Sequence, residues 1–310
     1  MDVVFCGTPQ FAVPTLEKLV ESGLRVRLVV TQPDRPRGRG HELASSPVKV
    51  RAQVLRLSVI EPERIKINDA LRAQLESLAP AAIVIVGYGR IVPPWMLALP
   101  PLGNINLHAS LLPRYRGAAP IQWAIANGET ATGVTTIRIN EGLDTGDLLL
   151  QKEVAIAPDD TTVTLAPRLA ALGAELMVET LRRLESGTIT PHPQDNSRAS
   201  LAPLLKKEDG RADFTRSAQE IANRLRGFQP WPGVFTSFRG KQLSLCAATP
   251  LDRAGLETGC LAVEGERLLT GCGNATALEL LELQPEGRKR MPARDFLHGY
   301  RPRSGERLGE

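Results

Sequence analysis

The sequence predicts an α/β protein with a mostly parallel sheet, followed by a smaller β-barrel. Three observations predict it. The first thirty residues read strand, turn, helix, strand, the order that builds a parallel sheet covered by helices. Residues 81–86, Ala-Ala-Ile-Val-Ile-Val, are the most hydrophobic strand of the chain and so a central one, buried on both faces. From residue 234 onward, about five short strands recur between glycines, the spacing of a small barrel. A chain of 310 residues is long enough for two domains. Hydrophobic residues at 42% and charged residues at 23% fit a soluble globular protein, and with aromatics at 4% the core must be aliphatic. The expected division is 1–188, a linker over 189–205, and 206–310.

In chain order, Val3-Val4-Phe5-Cys6 forms a buried strand that turns at Gly7-Thr8-Pro9. Residues 10–22 carry helical spacing through Phe11, Leu16, Leu19 and Val20, and residues 25–30 form the second strand. Neither G-x-G-x-x-G nor a phosphate-loop motif follows the first strand, which excludes a dinucleotide site of that kind. Residues 31–46, with Pro33, Pro36, Gly38 and Gly40, have no hydrophobic period and read as a loop, long for a strand-to-helix connection. Arg35, Arg37 and Arg39 make it either a solvated arm or one that contacts phosphate.

Helices follow over 47–57, with Pro47 in the first turn, and over 69–77. The central strand 81–86 then runs into Gly87-Tyr88-Gly89-Arg90. Glycines at the carboxyl end of such a strand either end it or let a ligand approach the backbone. After the next strand come a helix opening near Ala119, a strand over 133–139, a glycine- and acid-rich loop over 140–147, and an extended segment over 147–156. A long helix over 161–185 precedes the proline-rich linker, and a helix over 217–226 precedes the strands at 234–238, 242–247, 259–263, 267–270 and 276–283.

The chemistry concentrates in residues 103–122, GNINLHASLLPRYRGAAPIQ. Period-2 alternation puts Asn106 and His108 on one face of a strand, with Ile105 and Leu107 on the other. An amide donor beside an imidazole suits attack on a carbonyl: one polarises the oxyanion, the other manages charge and protons. Asp144, between Gly142 and Gly146, is the natural acidic partner; in a parallel sheet its loop and His108 would share the carboxyl edge. Alternatively, Asp144 only makes a turn. No serine or cysteine is set up as a nucleophile against His108, so a substrate atom would do the attacking. The histidines, cysteines and acids lack metal-ligand spacing, so no metal is expected.

The run NINLHASLLPRYRGAAPIQW, with GLDTGD downstream, resembles the folate-dependent formyltransferases. TQPDRPRGRG with SPVK, and KEDGRADF, FQPWPG and LQPEGRKRMPARDFLHGYRPRSGERL, are similar to the tRNA-directed branch of that family, so the likeness spans the chain. The resemblance implies a Rossmann-like catalytic domain and an oligonucleotide-binding type of barrel that holds tRNA. It implies transfer of a formyl group from 10-formyltetrahydrofolate to the free amino group of methionyl initiator tRNA. It makes Asn106, His108 and Asp144 the catalytic set. Val86, Gly87, Tyr88, Ser110, Leu111, Leu112 and Pro113 become folate contacts, with the backbone of 86–88 reading the pterin. Arg35, Arg37 and Arg39 become tRNA contacts. The chain departs from the family's common residues at His41 and Glu42, Gln229 and Gly87.

Two other readings share parts of this pattern. One is an enzyme of the same family that acts on a sugar-nucleotide amine or hydrolyses formyltetrahydrofolate, which would need neither the arginine loop nor a basic barrel. The other is a noncatalytic tRNA- or folate-binding protein, against which the complete Asn-His-Asp set argues. Cys6, Cys246, Cys260 and Cys272 show no paired spacing, so reduced thiols are expected. No apolar run is long enough to span a membrane, and strand character from Asp2 leaves no room for a signal peptide. A bacterial cytoplasmic protein follows, and the lack of an exposed apolar stripe suggests a monomer.

Overall fold

In the computed structural model, which describes residues 1–37 and 42–310, the chain opens with β1 (Asp2–Gly7), α1 (Val13–Glu21) and β2 (Arg25–Val30). The short strands β3 (Arg35–Arg37) and β4 (Glu42–Ala44) pair antiparallel. The expected loop 31–46 therefore contains a ladder. Its strands, Arg-Pro-Arg and Glu-Leu-Ala, have no apolar alternation, so they leave no periodic signal. Then come α2 (Pro47–Val54), β5 (Val59–Ile60), α3 (Asp69–Leu78), β6 (Ala82–Val86), α4 (Pro94–Leu97), β7 (Asn104–His108), α5 (Pro120–Ala126), β8 (Ala131–Arg138), β9 (Asp147–Ala155) and α6 (Thr162–Glu185). Local chemistry starts the helices: Ser46 caps α2 by accepting from the Lys49 N–H, with Pro47 in the first turn, and Asn68 caps α3 through the Leu71 N–H.

The chain divides into two units, Met1–Pro120 with Ala131–Ala155 and Ala166–Ala202, and Ile121–Thr130 with Ile156–Leu165 and Pro203–Glu310. In the first unit seven strands run in the order β5-β2-β1-β6-β7-β8-β9. The five strands from β5 to β7 are parallel, and β8 runs against both of its neighbours. One face packs Val4, Cys6, Leu28, Val30, Ile83 and Ile85 against Leu71 and Leu75 of α3 and Met96 of α4. On the other face α6 lies close: a Cβ on Gly173 would fall 2.6 Å from Leu107 Cδ2, and Thr136 Oγ1 bonds Thr180 Oγ1 at 2.8 Å. Burial on both faces explains the unbroken apolar runs of β1 and β6. Each fully buried aliphatic side chain contributes about 1.5–3 kcal/mol.

The segment expected as a linker, 189–205, is mostly part of the first unit, which extends to Ala202. His192 and Leu148 exchange backbone hydrogen bonds, and Arg116 pairs with Ser200 and Ala202. Proline and polar composition looks the same in a flexible tether and in an irregular segment pinned by its backbone.

The second unit contains α7 (Ala218–Gly227), β10 (Val234–Phe238), β11 (Lys241–Leu251), β12 (Leu261–Glu264), β13 (Arg267–Cys272), β14 (Thr276–Pro285), β15 (Met291–Pro292) and α8 (Ala293–Tyr300). Its sheet is antiparallel, in the order β10-β11-β14-β13-β12 with β15 beside β14. Ile221 and Leu225 of α7 and Phe296 of α8 join Leu243, Leu245, Leu278, Leu280 and Leu283 in one core. The C-terminal segment bridges the sheet's two outer strands. Beside β12, the Gly305 N–H bonds Leu261 O at 2.8 Å and the Leu308 N–H bonds Gly259 O at 2.9 Å. Beside β10, the Gly309 N–H bonds Ser237 O at 2.9 Å. A segment too irregular to read as a strand thus covers both exposed edges.

Candidate active site

The parallel strands β1, β6 and β7 end together, with Gly7 opposite Val86 and Ile85 opposite Asn106. The turns that leave them gather at this edge. Thr8 Oγ1 and Gln32 Nε2 both donate to Tyr88 O, at 3.2 and 2.7 Å. Gly87 and Gly89 sit at φ +55° and +73°, in the left-handed region that favours glycine. Side chains there would also collide, since a Cβ on Gly87 lies 2.8 Å from Pro9 Cγ and one on Gly89 lies 2.6 Å from Gln32 Nε2. The Tyr88 side chain is packed in the core with Cys6 and Met96, and burial pushes its phenol well above the usual range. The Tyr88 ring is therefore closed to a ligand.

On β7, Asn104 turns toward α4, donating to Met96 O at 2.9 Å, while Leu107 lies against α6. Alternation puts Asn106 and His108 on the Asn104 face, roughly 6.7 Å apart along the strand. Asn106 is half-buried, and its amide makes no side-chain hydrogen bond among the described residues. His108 is buried; its Nε2 donates to Tyr115 O at 2.8 Å, and its Nδ1 lies 3.6 Å from Asp144 Oδ2. A carbonyl only accepts, so the proton on Nε2 is fixed by that bond. The separation at Nδ1 exceeds a direct hydrogen bond, which leaves that nitrogen open to an oxygen entering beside it.

His108 and Asp144 meet, but not for the expected reason. β8 is antiparallel to β7, with His108 opposite Thr135 and Ile105 opposite Arg138. The loop after β8 therefore leaves beside the start of β7, away from His108. It comes back through specific bonds: Asp144 Oδ2 accepts from the Gly117 N–H at 2.9 Å, and Asp144 O accepts from Gln194 Nε2 at 2.8 Å. Gly117, at φ +122°, packs its Cα against Ala202 O.

Ser110 to Pro113 form the turn after His108. Ser110 Oγ donates to Arg114 O at 2.6 Å, so its hydroxyl is committed within the turn. Leu112 is buried, its N–H bonded to Thr135 Oγ1 and its carbonyl to Gln151 Nε2. Leu111 packs over the Gly133 backbone, and the Leu112–Pro113 peptide is cis.

A cavity of about 760 Å³ opens beside this edge, lined by Arg64, Lys66 and Arg90 around Ile65, Val92 and Pro94, with Glu141 from the Asp144 loop. Arg90 Nε is buried without a hydrogen-bond partner. None of the three cations stands out in the sequence. Arg90 follows the Gly87-Tyr88-Gly89 turn and could have been found there; Arg64 and Lys66 lie in an irregular stretch with no periodic signal. Arg35 and Arg37 lie on β3, and Arg35 is exposed; Arg39 and His41 lie outside the described residues. Among the described residues no group of His, Cys, Asp and Glu could hold a metal ion, and no helix is long and apolar enough to cross a membrane.

A Rossmann-like sheet with an amide, an imidazole and a carboxylate at its carboxyl edge defines a candidate carbonyl-transfer site. Residues 1–181 match the formyl transferase family model and residues 204–301 match the model of the formyl transferase C-terminal domain. Methionyl-tRNA formyltransferases of Koribacter versatilis and Acidobacterium capsulatum are 66% and 59% identical to this chain over 100% of its length, covering 99% and 100% of theirs. The chain belongs to the formyl transferase family and, within it, to the methionyl-tRNA formyltransferases. The fold is shared more widely. An N-formyltransferase from Helicobacter canadensis, solved with folinic acid and dTDP-3-aminofucose, superposes with a TM-score of 0.66 at 19% identity, over 91% of this chain and 98% of that one.

Proposed function

We propose that this chain transfers the formyl group of 10-formyltetrahydrofolate to the free amino group of methionyl initiator tRNA. The observation that carries this reading is the arrangement at the end of β7, an uncommitted Asn106 amide beside an imidazole whose Nδ1 faces Asp144 across 3.6 Å. The amine nitrogen attacks the formyl carbon, forming the new C–N bond. The bond from that carbon to N10 of the folate breaks, and N10 leaves with a proton. Between these events the carbonyl oxygen carries negative charge, which the Asn106 amide and the Nδ1–H of protonated His108 stabilise; the Asp144 carboxylate would receive the proton lost by the amine, through water. Holding amine and donor together supplies much of the remaining acceleration.

The donor is a flat ring system with an aromatic linker and a glutamate tail. The apolar walls of the cavity suit the linker, and Arg64, Lys66 and Arg90 suit the tail carboxylates. Backbone atoms of Val86, Gly87 and Tyr88 then face the pterin, and Ser110 to Pro113 form the wall beyond His108. Arg35, Arg37 and Arg39 contact the phosphates of the acceptor end, and the second unit carries further tRNA contacts. The protein acts as a monomer in the bacterial cytoplasm.

The test is a formylation assay with 10-formyltetrahydrofolate and three acceptors: methionyl initiator tRNA, free methionine and an amino-sugar nucleotide. Formyl-methionyl-tRNA alone is expected. Transfer only to a small amine, or release of formate without an acceptor, would overturn the tRNA reading.

A further inference from the structure

The group that sets Asp144 in place comes from the stretch expected to be a tether. Asp144 is held at φ +51°, a left-handed conformation unusual for a residue with a side chain. Gln194, only 9% exposed, donates through Nε2 to Asp144 O at 2.8 Å and to Gly146 O at 2.7 Å. Its Oε1 accepts from Arg116 Nε and Nη2 at 3.1 and 2.7 Å. Arg116, itself buried, also donates to Asn196 Oδ1 at 2.8 Å. The backbone on both sides is pinned, by the His192–Leu148 pair and by the bonds of Arg116 to Ser200 and Ala202. A primary amide has two N–H donors on one atom and an acceptor on the other, so it can tie two carbonyls of a turn to a guanidinium. Glutamate matches it in size but cannot donate.

We propose that Gln194 is a positioning residue for formyl transfer: by binding the carbonyls on either side of Thr145 it holds Asp144 in its left-handed conformation, with the carboxylate facing His108. This rests on the reading of Asp144 as part of the transfer site. It assigns to Arg116 the task of orienting the glutamine amide so that its nitrogen faces the loop.

The discriminating variant is Gln194→Glu. It keeps the volume and gives Arg116 a carboxylate, so the contact with Arg116 is preserved, but it sets an oxygen against two carbonyls and removes both donors. It is measured in wild-type and Asp144→Asn backgrounds, with saturating 10-formyltetrahydrofolate and methionyl-tRNA, as kcat against pH together with Tm. A displaced catalytic group loses about tenfold to a hundredfold in rate. Gln194→Glu is expected to lose kcat in that range, to take on the pH profile of Asp144→Asn, and to keep a near-normal Tm. In the Asp144→Asn background it should change kcat by less than about twofold, since coupled residues are not additive. Full kcat with an unchanged profile would overturn the proposal, and so would the same fold loss in both backgrounds. If Gln194→Glu does not fold, Gln194→Met, which also lacks donors, carries the same comparison. If Asp144→Asn itself matches wild type, the site reading fails, a result distinct from any failure of Gln194 alone.

Discussion

His108 arrives at the end of β7, in the parallel half of the first sheet, whereas Asp144 arrives in a loop off β8, which runs the other way. The parallel half places its groups by period: two-residue alternation sets Asn106 and His108 on one face, and apolar burial on both sides locks the strand. The antiparallel half places its carboxylate by individual hydrogen bonds. Asp144 is held through its side chain by Gly117 and through its carbonyl by Gln194, in a left-handed backbone conformation. A position fixed by period tolerates changes nearby that keep the pattern. A position fixed by a few polar bonds depends on each donor.

The largest effect should come from the strand. His108→Ala is expected to lower kcat by about 100-fold or more, the range for loss of an acid-base group, while the chain still folds. An active His108→Ala enzyme would remove the parallel half from the chemistry. In the antiparallel half, Asp144→Asn keeps a residue tolerant of left-handed backbone and removes the charge, whereas Asp144→Val adds roughly 1–2 kcal/mol of backbone strain. Asn should cost rate with little change in Tm; Val should cost both. Equal Tm for the two would mean that the strained backbone matters less than this comparison requires.

The cavity gives a smaller effect. Arg64→Ala and Arg90→Ala should each raise the KM for the folate donor about tenfold, the loss of one charge-assisted hydrogen bond, with kcat largely kept. A fall in kcat at unchanged KM would move these cations from donor binding to chemistry. Gly89→Ala tests the edge itself. It sets a Cβ 2.6 Å from Gln32 Nε2 at φ +73°, and should lower stability by about 1 kcal/mol, read as a drop in Tm. The smallest effect concerns the thiols. Burial pushes the Cys6 thiol up, and the Cys272 thiol up to about 12. In the folded protein a thiol reagent should therefore label Cys260 and Cys246 well before Cys6 and Cys272.

The elements legible in the sequence were those that bury a face or carry their own start signal. β1, β6 and β7 stood out as apolar or alternating runs, and α2 by Pro47 in its first turn; the structure adds the Ser46 N-cap of α2 and the Ser217–Glu220 capping box of α7. α8 is not legible in the sequence although Phe296 and Tyr300 stack at helical spacing, because it is two turns long and lies among arginines. The β3–β4 ladder and the C-terminal closing segment carried no periodic pattern, since backbone hydrogen bonds set their pairing. Within the site, the strand residues were found by period and motif; Gln194 and the cavity's cations were not.

By itself the sequence determined the parallel core, the face of β7 that bears Asn106 and His108, and the family, because these depend on side-chain period and short motifs that neighbouring residues enforce. Tertiary structure alone decided that β8 turns against β7, that the Asp144 loop is drawn back to His108, and that residues from the supposed tether hold it there. Those outcomes rest on hydrogen bonds between residues 27 to 50 positions apart, and the free energy that selects them exists only when the fold has already brought both partners out of water.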